Sequence, residues 1–228
     1  MFFIWLLIYG IVMLLSRYFA FRTPWATPVG LLISTLVLVG WLLMKQKNSF
    51  LRFKKIPLSH WKHHLFFLPY LLPILCNLLF SGFSLSPGPV MLSMFLAAIL
   101  EEVIFRDILL RFLCRWHYFG GIALAAVLFA AAHLLNLESG VTPVCLMHQI
   151  AFALAAGFAF AGIALSCETL LPCVGIHFLI NITAGDSPAL PEKYLLWLCV
   201  AVYLACGIRS ICFLRNSAKK GHPHETLH

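Results

Sequence analysis

Inside a run that is otherwise lipid-soluble, FLAAILEEVIFRDILLRFL at residues 95–113 places Glu101, Glu102, Arg106 and Asp107 where the surrounding pattern asks for leucine. A charged side chain near a helix centre opposes membrane insertion by about 2.5–3.5 kcal/mol, so Glu101, Glu102 and Arg106 together cost about 8 kcal/mol before any pairing. Helical spacing supplies part of the compensation. Glu102 and Arg106 stand at i and i+4 on one face with the acid N-terminal to the base, the favourable order for an ion pair, and Asp107 and Arg111 repeat the arrangement one turn later. Glu101 is left over, because it lies about 100° around the helix from Glu102 and about 140° from Arg106. It must face something else.

Two further apolar segments carry partners for it. LFAAAHLLN places His133 deep in one segment with Phe129 a turn earlier on the same face, and VGIHFLINIT places His177 and Asn181 at i and i+4 on another. Alone, each of these is the polar residue that often hydrogen-bonds a neighbouring helix, at a gain of about 0.6–2 kcal/mol. Jointly, a carboxylate without an arginine, a paired Glu/Arg, two imidazoles and a carboxamide at comparable depth on three helices make a site. An apolar setting turns a carboxylate into a better base and an imidazole beside it can share the proton, so Glu101 with His133 can deprotonate a water molecule. His177 and Asn181, side by side, can donate hydrogen bonds to the oxyanion of an attacked amide carbonyl. That is amide hydrolysis without a covalent enzyme intermediate.

Other intramembrane protease designs are not spelled out by the sequence. Its H-E-x-x-H, HETLH at residues 224–228, lies in the polar tail; within the apolar segments there is no H-E-x-x-H, no paired aspartates and no G-x-S-x-G. Zinc stays open as an alternative, since Glu101, His133 and His177 form the ligand set of some catalytic zinc sites, but the expected site needs no metal and no cofactor.

The elements that must position these groups are membrane spans. The chain has 228 residues, 62% hydrophobic and 11% charged, with a mean hydropathy of +0.95; a soluble domain is about a quarter charged. An all-α polytopic bundle in a single membrane domain, residues 1–228, is expected. Apolar segments fall at residues 2–16, 27–44, 65–83, 90–112, 119–137, 144–166, 170–183 and 194–214, which gives eight transmembrane helices, or seven if the short segment at 170–183 does not span. The first segment lacks the basic flank and cleavage site of a signal peptide and reads as a retained span. SLSPGP, ESGVTP and GDSPALPEK break the pattern as turns.

Six of the sixteen lysines and arginines lie in residues 45–64, and Arg111, Arg115, Arg215, Lys219 and Lys220 collect at three other segment ends. With eight spans these share one side, which the positive-inside rule makes cytoplasmic; the basic loop at 45–64, the tail at 215–228 and both termini are expected there. Basic loops against anionic lipid headgroups account for the net charge of +8, and no nucleic-acid partner is expected. The eight cysteines contain no C-x-x-C pair and read as small buried hydrophobes.

EEVIFR at residues 101–106, FAAAH at 129–133 and HFLIN at 177–181 match, in order, the E-E-x-x-x-R, F-x-x-x-H and H-x-x-x-N/B motifs of the CPBP family, the CAAX protease and bacteriocin-processing or Abi family, whose eukaryotic members are type II CAAX prenyl endopeptidases. The resemblance covers about residues 90–183, a motif-bearing core, with no motif position substituted. It implies a helical intramembrane protease of about eight spans using a glutamate-activated water. Its catalytic set falls on Glu101, His133, His177 and Asn181, the supporting pair on Glu102 and Arg106, and the aromatic position on Phe129. Short length and basic loops resemble the bacterial members, which are linked to maturation of secreted peptides, bacteriocin self-immunity and control of membrane sensor kinases. The implied partners are a membrane-associated peptide or protein substrate and the lipid bilayer. The rival reading is a non-catalytic membrane partner or bacteriocin self-immunity protein that keeps the motif for structure; a transporter ranks behind both, since the polar groups converge on one site and line no path.

Overall fold

A computed structural model of the chain describes residues 2–20, 23–45, 65–80, 88–139, 141–184 and 190–219. The basic loop expected to be cytoplasmic, beyond its first residue Lys45, and the tail from residue 220 lie outside the described residues. Those described form a helical bundle without strands: α1 (Phe2–Ala20), α2 (Ala26–Lys45), α3 (Leu72–Phe80) after a 3-10 turn at Leu65–Leu71, α4 (Gly88–Cys114), α5 (Tyr118–Ala132) running into a 3-10 turn at His133–Ser139, α6 (Pro143–Cys167), α7 (Leu171–Thr183) and α8 (Leu190–Lys219).

Five of these helices, α2, α4, α5, α6 and α8, are long and apolar enough to cross a membrane, and shorter apolar stretches lie on α1, in the α3 region and in α7. The described residues form eight helices in a multi-pass membrane bundle, the all-α polytopic architecture that the sequence implies. The 13 residues of α7 span about 20 Å at 1.5 Å per residue, short of a hydrocarbon core about 30 Å thick. Packing compensates for that length: α7 sits against α3, α4 and α6. Large apolar side chains also point outward, among them Leu32, Ile33, Leu36 and Val37 of α2, as suits a lipid-facing surface.

In α6, 72% of the spanning window is buried, against 28–39% in the other four long helices, so α6 is the inner column. Its composition allows this. The buried run includes Ala153, Ala155, Ala156, Gly157, Ala159, Ala161, Gly162 and Ala164, and small side chains let helix backbones approach where the hydrophobic effect gives no drive between helices. A Cβ built on Gly157 would stand 2.8 Å from Ala126 Cα of α5, and one on Gly207 of α8 would stand 2.9 Å from the Phe158 carbonyl carbon of α6. Thr142 caps the start of α6 by accepting the Cys145 N–H, Pro143 occupies its first turn, and Glu168 ends it in the left-handed conformation (φ 53°).

The other hub is α4, which touches α1, α2, α5, α6 and α7. It is not a uniform α-helix. Directly after Glu102 it widens into a π-helical stretch, Val103–Leu110, and returns to α at Arg111–Cys114. Such wide turns concentrate at functional sites. The π register replaces the α-helical angle between Glu101 and Arg106 assumed from spacing alone, while the step from Glu101 to Glu102 stays α-helical. All eight residues of the wide stretch are buried.

Candidate active site

Adjacent on α4, the two glutamates enter different surroundings. Glu102 is fully buried and held from both sides. Arg106 Nε lies 3.2 Å from Oε2 as an ion pair without hydrogen-bond alignment, and the His177 Nδ1–H donates to Oε1 at 2.9 Å. The arginine is fixed in turn by aromatic faces: its guanidinium carbon stands 4.0 Å over the Phe129 ring and 5.5 Å from the Phe160 ring centroid. Both terminal guanidinium nitrogens lack hydrogen bonds, and the ring faces meet them in their place. One helical turn on, Asp107 and Arg111 form a second buried pair at 2.9 Å.

Glu101 is 17% exposed at its side chain and faces a cavity of about 350 Å³. Its Oε1 accepts a hydrogen bond from the Tyr9 hydroxyl of α1, and its Oε2 lies 3.7 Å from His177 Nε2, beyond hydrogen-bond reach. His133, His177 and Asn181 line the same cavity, so all four residues expected to be catalytic share one wall system, with Tyr9, Phe105, Asn136 and Gln149 beside them.

Local backbone features set each imidazole. At His133 the α5 helix tightens into a 3-10 turn, and the His133 backbone N–H bonds Ala130 and Ala131 in place of Phe129. The freed Phe129 carbonyl accepts from His133 Nδ1 at 3.0 Å, which assigns the proton to Nδ1 and leaves the lone pair on Nε2. The ring stands edge-on to Phe129, centroids 5.1 Å apart. His177 is oriented by Glu102, since a carboxylate accepts only and Nδ1 must carry the proton; Phe129 and Phe160 lie 6.1 Å from its ring on two sides. The end of α7 is pinned where the Thr183 hydroxyl donates to the Leu179 carbonyl at 2.7 Å and accepts from Asn77 of α3 at 3.2 Å.

Sequence reading pairs Glu101 with His133. In the structure both line the cavity, but the hydrogen-bond partner of Glu101 is Tyr9, and His177 rather than His133 is the imidazole nearest to it. Spacing places His177 and Asn181 together as donors to an oxyanion; the structure adds the carboxylate of Glu102 behind His177. Tyr9, Phe160 and the pair Asn136–Gln149, whose carboxamides bond at 3.1 Å, escape the sequence reading. Asn136 alone has a signal there, one turn beyond His133 on the same strip. Among the described residues no three His, Cys, Asp or Glu side chains are grouped as metal ligands would be, and the eight cysteines are free thiols.

Residues 83–183 match the family model described as type II CAAX prenyl endopeptidase Rce1-like. The match bears out the resemblance read from the three motifs, over the stretch that carries all of them. No curated protein and no solved structure matches the chain.

Proposed function

We propose that this membrane protein, with its endopeptidase-family core, hydrolyses an amide bond in a small membrane-associated peptide or protein, using a water activated by Glu101 and His133. Glu101 removes the water proton while His133 Nε2, which holds a lone pair, shares it. The resulting hydroxide attacks the amide carbonyl carbon. Asn181 Nδ2 and, in the imidazolium form, His177 Nε2–H donate to the oxyanion; the C–N bond then breaks and the proton passes to the leaving amine. With His177 an imidazolium, the two glutamates, Arg106 and His177 sum to zero charge, which suits a cluster set in an apolar bundle. The mechanism assigns no step to a metal.

The observation that carries this reading is the division of the carboxylates. Glu102 is committed to Arg106 and His177, whereas Glu101 opens on a cavity that His133, His177 and Asn181 also line. A general base needs an uncommitted lone pair within reach of water, and Glu101 Oε2 has one.

Glu101→Gln tests it, because the amide keeps the size and the hydrogen bonding of the acid while removing its basicity. Secreted and membrane peptidomes of cells carrying wild type and Glu101→Gln are compared at matched protein abundance. A precursor that accumulates in the mutant, with the mature product reduced by about 10²- to 10⁴-fold, is the expected result and names the substrate. Unchanged peptidomes with full biological activity would leave a scaffold or immunity protein.

A further inference from the structure

Glu101 has no charged tether on its own helix: Arg106 serves Glu102, and the residues four positions away, Ala97 and Phe105, are apolar. A glutamate side chain carries three torsions, and an untethered one facing a cavity samples several rotamers. The group that fixes it comes from the far end of the sequence. Tyr9 of α1 is 7% exposed, lines the same cavity and donates its hydroxyl to Glu101 Oε1. The α1 helix packs on the π-helical stretch that follows Glu101, which brings the phenol to the acid.

We infer that Tyr9 is a positioning residue for the hydrolysis proposed above: by holding Oε1 it presents Oε2 to the side of the cavity where His177 and Asn181 stand. The first helix, which carries none of the family motifs and lies outside the matched residues 83–183, is thereby part of the active site. A phenol suits the task. It supplies one directed donor without a charge to be paid for in an apolar interior, and it occupies one oxygen while leaving the lone pairs of Oε2 open to the cavity.

Tyr9→Phe removes the hydroxyl and keeps the ring and its packing. The purified protein in lipid nanodiscs is tested in two ways. In infrared spectra, the difference between wild type and Glu101→Gln isolates the carboxylate band of Glu101; Tyr9→Phe should shift that band, and an unmoved band would overturn the assignment whatever the enzyme does. With a quenched-fluorescent farnesylated CAAX peptide, kcat should fall between about 10- and 100-fold, the range for losing a hydrogen bond to a charged group, with KM and melting temperature unchanged. A lower melting temperature with kcat unchanged per folded molecule would make Tyr9 an anchor of α1 alone and refute the positioning role. If wild type leaves the peptide intact while the band still shifts, a farnesylated CAAX peptide is not a substrate, and the shifted band still supports Tyr9 as the group that holds Glu101.

Discussion

Arg106→Ala should damage the protein itself as well as its activity, by an amount that the burial sets. Glu102 is fully buried and Arg106 is 2% exposed, so removing the arginine strands a carboxylate where water cannot solvate it. Breaking a buried pair from one side costs about 3–5 kcal/mol. The guanidinium also leaves the Phe129 face, 4.0 Å away, and a desolvated contact of that kind contributes about 2 kcal/mol; the two losses share one side chain and do not add. For a chain of this length 3–5 kcal/mol corresponds to a melting temperature lower by about 6–20 °C. Cys167 and Cys173, buried on α6 and α7, give the readout: a thiol-reactive dye reports their exposure as detergent-solubilised protein is heated. The double variant Glu102→Gln, Arg106→Met removes both charges and should melt well above Arg106→Ala, since a neutral pair escapes the penalty of a stranded ion. If Arg106→Ala melts within about 2 °C of wild type and accumulates normally, or if the double variant is no better than the single, the ion pair is not what holds Glu102 in the bundle.

Gly157→Val should drive α5 and α6 apart, because even a Cβ there meets Ala126 Cα at 2.8 Å, whereas Gly175→Ala, whose Cβ meets nothing within 4 Å, should be silent; a loss of about 1–3 kcal/mol in the thiol-dye melt, confined to the first variant, checks this. Extensive chelation of purified protein should leave hydrolysis of a CAAX peptide unchanged, and stoichiometric zinc whose removal abolishes activity and whose return restores it would move Glu101, His133 and His177 to ligand roles. A reporter fused after His228 should be active only in a cytosolic-facing form; an external C-terminus would overturn the orientation drawn from the basic loops.

The motif residues were legible because the bilayer makes charge expensive. Glu101, Glu102, Arg106, His133, His177 and Asn181 stand out against apolar surroundings, and i, i+4 spacing names the Glu102–Arg106 and Asp107–Arg111 pairs that the structure contains. Tyr9 was not legible for the converse reason. Lipid and protein are both apolar neighbours, so α1 carries no polar face to say which side turns inward, and one tyrosine in FFIWLLIYGIVM looks like any other aromatic. The link from His177 to Glu102 crosses 75 residues and depends on how α7 leans on α4. Nothing in VIFRDILL announces a π-helical turn either; the backbone widens where α1, α5 and α6 all press on it. The inner position of α6 was half visible in its alanines and glycines, but spacing could not say that α5 and α8 were the helices to use them.

Two neighbouring carboxylates on one helix would be a liability if they shared one environment, since like charges in an apolar interior repel and neither could stay ionised. The bundle separates them by about 100° of helix rotation and then gives them opposite neighbours. Glu102 receives a cation beside one oxygen, an imidazole N–H on the other and complete burial, which commit both oxygens and keep them from the cavity. Glu101 receives a neutral phenol on one oxygen and an open cavity on the other. In the proposed mechanism the first arrangement makes an orienting group for His177 and the second makes a base. The difference follows from partners that come from α1, α4 and α7, so the same Glu-Glu dipeptide in an isolated α4 would have neither property. Exchanging the roles should therefore fail: Glu101→Gln keeps the cluster around Arg106 intact and loses turnover, while Glu102→Gln leaves the Glu101 carboxylate in place, still accepts from His177 through its amide oxygen, and strands Arg106. The second variant should retain more activity at high substrate than the first, and equal loss in both would mean that the two carboxylates act as one unit.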